Sequence, residues 1–187
     1  TTPPFRAAVR LNSGVRPHMQ VHSDLKLPLL GSRIMIRRLM LGDIESLFDM
    51  ESDPEVKRYL NGPVKKDRLE WIEKMKRMCT ATPTLAIELR EECKFIGRAS
   101  LSPAEPWGPP EMQIVLCRSA WGNRYGREAA QLFVAHADET STQISAIAHP
   151  EHTHSHLLLN TFGFIFSEFI RSPDWQFGYR RYYREPK

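Results

Sequence analysis

EMQIVLCRSAWGNRYGREA, Glu111 to Ala129, reads as a strand, a tight turn carrying Gly122 and Gly126, and the opening of a helix. The helix continues from about Arg127 to Asp138, with Ala130, Phe133, Val134 and Ala137 on one face at the helical period. Such a turn delivers main-chain N–H groups to a helix N-terminus, where the dipole and the unpaired amides favour an anion. Arg118, Arg124 and Arg127 surround it with positive charge, so the expected ligand carries phosphate. Taken alone, the same residues also fit a plain strand-to-helix connection with solvated arginines, and the flanking segments decide between the two.

On the N-terminal side, Arg33 to Leu39 (RIMIRRL) alternates apolar and basic residues, the pattern of a strand with one buried face. Asp43 is placed to cap a helix carrying Ile44, Leu47 and Phe48. Asp53 before Pro54 signals a second helix, with Val56, Tyr59 and Leu60, and Asp67 a third, with Leu69, Ile72, Met75 and Cys79 on one stripe. Thr84–Leu89, Lys94–Leu101 and Glu111–Cys117 then read as an antiparallel meander. On the C-terminal side, Ile144–Ala148 is a strand, and Pro150 opens a helix with Leu157, Leu158 and Phe162 that Gly163 stops. Gly163–Ile170 and Trp175–Tyr183 can pair as a closing hairpin. The order implies an α/β fold, an α+β mixed sheet with helices on both faces, formed by one domain over 33–187. Residues 1–32 show no sustained period and are expected to form an extended arm.

Composition narrows the function classes. At 41% hydrophobic and 26% charged, the 187 residues can bury a core, which excludes wholesale disorder. No apolar run reaches the roughly 18 to 20 residues of a membrane-spanning helix, so no membrane partner is expected. Cys79, Cys93 and Cys117 are scattered and odd in number, which suits a reducing compartment, the cytoplasm, better than a disulfide framework. The net charge of +4 divides into +3 over residues 1–32, +2 over 168–187 and −1 between them. The folded middle is therefore not basic, and no nucleic acid partner is expected. His149, His152, His154 and His156 are spaced so that neighbours on a helix diverge, and no metal site is expected.

Four stretches together resemble the GNAT superfamily of acyl-CoA-dependent N-acyltransferases, and within it the branch of bacterial ribosomal-protein N-terminal acetyltransferases. SRIMIRRL (32–39) is similar to the branch's opening strand and DPEVKRYL (53–60) to its Asp-Pro helix. EMQIVLCRSAWGNRYGREA resembles the central strand and pyrophosphate loop, and HPEHTHSHLLLNTFGF (149–164) the helix that ends in Gly-Phe. The resemblance implies a GNAT-like fold and acetyl-CoA as co-substrate. It also implies cofactor contacts from Val115, Leu116, Cys117, Arg118, Trp121, Gly122, Asn123, Arg124, Tyr125, Gly126, His152 and Ser155. Three positions depart from the branch: Arg124 replaces the middle loop glycine, His152 an Asn, and Leu159 the tyrosine that donates a proton in many relatives.

Acyl transfer from a thioester to an amine needs a free amine, a donor for the developing oxyanion and a proton for the departing thiolate. The resemblance implies an oxyanion donor on a main-chain amide near Val115 or Leu116 and, with Leu159 inert, Ser155 as the proton donor. Glu111 is the favoured base, His149 and Asp174 its alternatives, and Trp107, Trp175 and Tyr179 candidate walls of the acceptor pocket. The expected activity is N-acetyl transfer to a primary amine of a small molecule or protein N-terminus in a ternary complex. A covalent step through Cys117 has no adjacent base in the motif. The alternatives are a non-catalytic CoA-binding regulatory module and, less favoured by the charge distribution, a nucleic-acid binder.

Overall fold

The computed structural model describes residues 25–79, 83–103, 108–173 and 176–187. Their centre is an eight-stranded mixed sheet in the order β1-β2-β3-β4-β5-β6-β8-β7. Its strands are β1 (Leu29–Leu30), β2 (Ile34–Arg38), β3 (Leu85–Leu89), β4 (Lys94–Pro103), β5 (Pro110–Leu116), β6 (Ile144–Ala148), β7 (Ile165–Ile170) and β8 (Tyr179–Arg184). Only β5 and β6 run parallel, and the connection between them is the helix α3 (Tyr125–Glu139), as a parallel crossover requires.

Alternating side chains build one apolar layer on each face. Ile34, Ile36, Ile87, Leu101 and Met112 meet Ala130, Phe133, Val134 and Ala137 of α3, together with Leu159 of α4 (Thr153–Thr161). On the other face α1 (Ile44–Ser52) and α2 (Arg68–Met78) contribute Ile44, Leu47, Phe48 and Ile72, against which Val115 and Cys117 pack. The mixed α/β architecture, the meander of β3 to β5 and the inward face of α3 agree with the sequence reading.

Local expectations fare unevenly. Asp67 caps α2 as its sequence suggests, accepting from the amides of Leu69 and Glu70, but Leu69 itself is exposed and only Ile72 and Cys79 of the expected stripe are buried. Asp43 precedes α1 without capping it by its side chain. Its carboxylate instead takes both Arg37 Nη1 (2.7 Å) and Nη2 (2.9 Å) and the Met40 amide. No second helix forms over 53–60. The segment is a series of turns in which Asp53 Oδ1 accepts from the Glu55 amide, and its side chains are drawn outward: Lys57 Nζ to Glu51 (2.5 Å) and Tyr59 onto His152. Of the stretch 1–32 expected as an arm, residues 1–24 lie outside the described residues; of the remainder, Leu25 is buried and Leu29–Leu30 pair with β2.

The charged groups beneath α1 are buried in two sets. Arg37 Nε reaches Glu88 Oε2 at 2.7 Å while its other nitrogens hold Asp43, and Glu51 accepts from Arg98 and Lys57. Burial works against the Glu51 charge, yet the two cations outweigh it and hold the carboxyl below its usual range. Removing one member strands its partners. Arg37→Ala is expected to lower unfolding free energy by about 3 kcal/mol in urea titration, the usual loss when a buried ion pair is broken from one side.

Candidate active site

β5 and β6 share a single bridge, Glu111 with Ser145. Beyond it the strands separate, leaving a gap that runs toward their C-terminal ends. The register of β4 against β5 shows which groups line it. The Cys117 amide donates to the Ile96 carbonyl at 2.8 Å and Leu116 lies opposite Gly97. In an antiparallel ladder this alternation turns Gln113 and Val115 toward β4 and turns the main-chain groups of Ile114 and Leu116 into the gap. Of the two amides singled out in the sequence, only that of Leu116 faces the opening. The Leu116 carbonyl already accepts from Trp121 Nε1 at 3.1 Å.

The turn after β5 has the backbone of an anion-binding nest. Gly122 (φ +78°) and Arg124 (φ +63°) are left-handed, whereas Asn123 and Tyr125 on either side are not. Alternation of this kind points successive N–H groups into one concavity. Among the described residues no amide from Gly122 to Gly126 makes a hydrogen bond of ordinary geometry, and α3 has no side-chain cap. The space beside Gly122 is open, with no atom within 4 Å of where a Cβ would stand. Arg118, Arg124 and Arg127 are exposed, and among the described residues none pairs with a carboxylate. Asn123 differs in kind: its side chain folds back to donate to the Trp121 carbonyl at 3.0 Å, so it shapes the turn. These groups suit a diphosphate, and with the gap beside them they fit coenzyme A.

Glu128, in the first turn of α3, fixes this turn to the start of β2. Its carboxylate accepts from the amides of Arg33 (2.7 Å) and Ile34 (3.2 Å), from Ser32 Oγ and from Arg33 Nε. Burial opposes the charge, but these donors outweigh it and lower the pKa. Arg33 extends further, donating to the Asn123 carbonyl at 3.1 Å and covering the Tyr125 ring. Gly31 leaves room for this carboxylate, since a Cβ there would stand 2.6 Å from Glu128 Oε1 and push it aside. The sequence signal for Glu128 was an acid in the first turn of the loop-following helix; for Arg33 there was none.

The N-terminus of α4 follows β6 directly and so stands near the open end of the gap. His152 Nδ1 and Ser155 Oγ are 2.8 Å apart, and the imidazole stacks on Tyr59 at 4.6 Å and 21°. His149 packs against Tyr59 and Phe177, its Nδ1 accepting from the Glu151 amide. His156 spans Pro150 O and Tyr182 Oη. Among the described residues no His, Cys, Asp or Glu cluster could hold a metal ion. A shallow depression lined by His149, Glu151, Phe169, Gln176 and Phe177 lies alongside. Tyr179 is buried, which raises its hydroxyl pKa.

Glu111 is only 5% exposed and accepts from Gln113 Nε2 at 3.0 Å. It stands at the closed end of the gap, on the same face as Val115, whereas Ser155 lies toward the open end. Cys117 is half-buried, and burial raises its thiol pKa. Trp107, Asp174 and Trp175 lie outside the described residues. Leu159, in the position of the missing tyrosine, is buried in the core.

Burial, reinforced by His154, His156 and His149, lowers the His152 pKa to about 4. A histidine in an unfolded chain titrates near about 6.5, so protonation favours the unfolded state. Stability is expected to be complete above about pH 6.5 and to fall as pH drops toward 4. Denaturant melts across this window should show a smaller fall for His152→Asn, and in an NMR titration the His152 ring should protonate only as pH falls to about 4.

The family described as "Acetyltransferase (GNAT) domain" matches residues 33–165. Among solved structures, the chain is similar to a GNAT-family acetyltransferase from Bacillus anthracis, with TM-score 0.73 and 19% identity over 85% of this chain and 98% of that one. It is also similar to a spermidine N-acetyltransferase from Vibrio cholerae in complex with CoA and spermine, with TM-score 0.68 and 15% identity over 82% and 96%. A candidate ribosomal-protein-serine acetyltransferase from Vibrio cholerae aligns with TM-score 0.66 and 11% identity over 86% and 98%. No curated protein sequence matches significantly. Among the described residues no helix is long and apolar enough to cross a membrane. With the family match spanning most of the chain and the splayed strands, phosphate turn and helix order in agreement, the chain belongs to the GNAT acetyltransferase family.

Proposed function

We propose that the chain transfers the acetyl group of acetyl-CoA to a primary amine, on a small molecule or a protein N-terminus, by direct attack in a ternary complex. The observation that carries this reading is the run of unengaged amides from Gly122 to Gly126 beside the gap between β5 and β6. Those amides, with Arg118, Arg124 and Arg127, would hold the diphosphate. The free edge at Ile114 and Leu116 would guide the pantetheine arm, and the Leu116 amide would donate to the carbonyl oxygen as it gains charge. Ser155 would donate its hydroxyl hydrogen to the departing sulfur. Glu111 would take the proton from the attacking amine through a water, since its buried carboxylate lies at the far end of the same gap. Cys117 suits a covalent step poorly, because burial keeps its thiol protonated.

An amine acceptor is supported by the fold neighbour that is a spermidine N-acetyltransferase bound to CoA and spermine. The depression lined by His149, Glu151, Phe169 and Phe177 is the proposed acceptor side, with Glu151 available to an ammonium group. In the cytoplasm, where the scattered free cysteines would remain reduced, both substrates would be at hand.

Calorimetry with CoA, followed by a thiol-release assay against an amine panel, tests the reading. Gly122→Ala, which forces a side chain into the left-handed region, is expected to weaken CoA binding about tenfold, a loss of about 1.4 kcal/mol. Arg124→Gly is expected to raise unfolding free energy by about 1 kcal/mol, relieving the same kind of strain, and to weaken CoA binding through loss of its charge. Ser155→Ala and Glu111→Gln are each expected to lower turnover about a hundredfold. Tight CoA binding with no thiol release from any amine would leave a CoA-binding module and remove the transferase.

A further inference from the structure

His152 stands where the resembling branch carries Asn, and its surroundings give it a definite task. Its ring lies flat against Tyr59 at 4.6 Å and 21°, and its Nδ1 stands 2.8 Å from Ser155 Oγ. The main chain sets the same spacing, because the amides of Ser155 and His156 both donate to the His152 carbonyl at 3.0 and 3.2 Å. A neutral imidazole carries one hydrogen, and its position decides what the serine can do. On Nε2 that hydrogen would meet no protein acceptor among the described residues; on Nδ1 it meets Ser155 Oγ. A half-buried N–H without an acceptor costs more than an open lone pair.

We propose that His152 is a positioning residue, which donates from Nδ1 to the oxygen of Ser155 and so leaves the serine hydroxyl hydrogen free to point into the gap between β5 and β6, with Tyr59 fixing the ring. The opposite arrangement, Ser155 donating to Nδ1, would spend the hydroxyl's only hydrogen on the ring. A hydroxyl whose oxygen accepts one hydrogen bond is also a better donor of the next. No proton crosses the imidazole: one hydrogen stays on Nδ1 and one remains on Ser155 for sulfur. This inference rests on the acetyl-transfer reading for its consequence and on geometry alone for the tautomer. It also gives a task to Tyr59, on a segment that Lys57 ties to Glu51 of α1.

Two measurements test it. Long-range nitrogen–proton NMR of the free protein at neutral pH should show His152 protonated at Nδ1; protonation at Nε2 would overturn the proposal, and this readout needs no activity. In steady-state kinetics His152→Ala should lower kcat about tenfold and leave KM for acetyl-CoA within about twofold, and His152→Asn, which keeps a donor, should recover most of the loss. In a Ser155→Ala background, His152→Ala should cost nothing further. Full additivity of the two losses, or a His152→Ala enzyme with unchanged kcat, would also overturn it. A wild-type protein that shows the Nδ1 tautomer and transfers acetyl to no amine would instead count against the transferase reading.

Discussion

The site depends on one interruption of regular pairing: β5 and β6 touch at Glu111 and Ser145 and then part. A fully zipped parallel pair would satisfy Ile114 and Leu116 with β6 and leave no edge for a ligand. Strands that part must be held apart by something else, because unpaired main-chain groups in a sheet interior are costly. On the β5 side the support comes from β4, paired along its length with β5. Gly97 is required there, since a Cβ on it would stand 2.4 Å from the Val115 carbonyl. On the β6 side it comes from β8, which pairs with all five residues of β6. Arg184 ties β8 to α3 through two 2.8 Å bonds to Asp138 and adds a third bond to the Phe162 carbonyl. Each strand at the gap thus leans outward on its other neighbour.

The turn after β5 carries strain that the rest of the fold must hold. Arg124 is left-handed directly before α3 and has no side-chain cap. A non-glycine residue in this region costs about 1 to 2 kcal/mol. Glu128 offsets it by drawing two amides and two side chains of 32–34 onto the first turn of α3, and Arg33 returns a bond to Asn123 inside the turn. The turn is held from outside, which leaves its own amides unspent.

Long periodic elements were legible in the sequence, and the groups that join elements were not. RIMIRRL, the meander and the inward face of α3 could be read because their side chains alternate, or repeat at 3.6, against a single apolar layer. The stretch 53–60 begins like a helix, with Asp before Pro, but tertiary partners claim it: Lys57 pairs with Glu51 and Tyr59 stacks on His152. Asp43 likewise looks like a cap from its position, yet a bidentate Arg37 competes for the same oxygens and gains more in a buried site. The site was half legible. The turn and the Ser155 position stand out in the sequence only through resemblance, and that the Leu116 amide rather than the Val115 amide faces away from β4 needed the register. Glu128, Arg33 and Tyr59 act across 90 to 96 residues of chain, a separation at which local pattern carries no information.

The buried charges under α1 connect the two sides of the gap more directly than the apolar layers do. Arg98 lies opposite Val115 on β4 and pairs with Glu51 at 2.5 Å. Glu51 also holds Lys57, and Tyr59, two residues on, covers His152. A continuous line of contacts therefore runs from the β5 side of the gap, through α1, to the helix start on the β6 side. Apolar packing tolerates small slips, whereas a buried ion pair loses its partner if either side moves by an ångström or two. Charged links of this kind are poor value for stability alone and well suited to fixing a distance. Here they tie β4, α1 and the segment 53–60 to one another through Glu51.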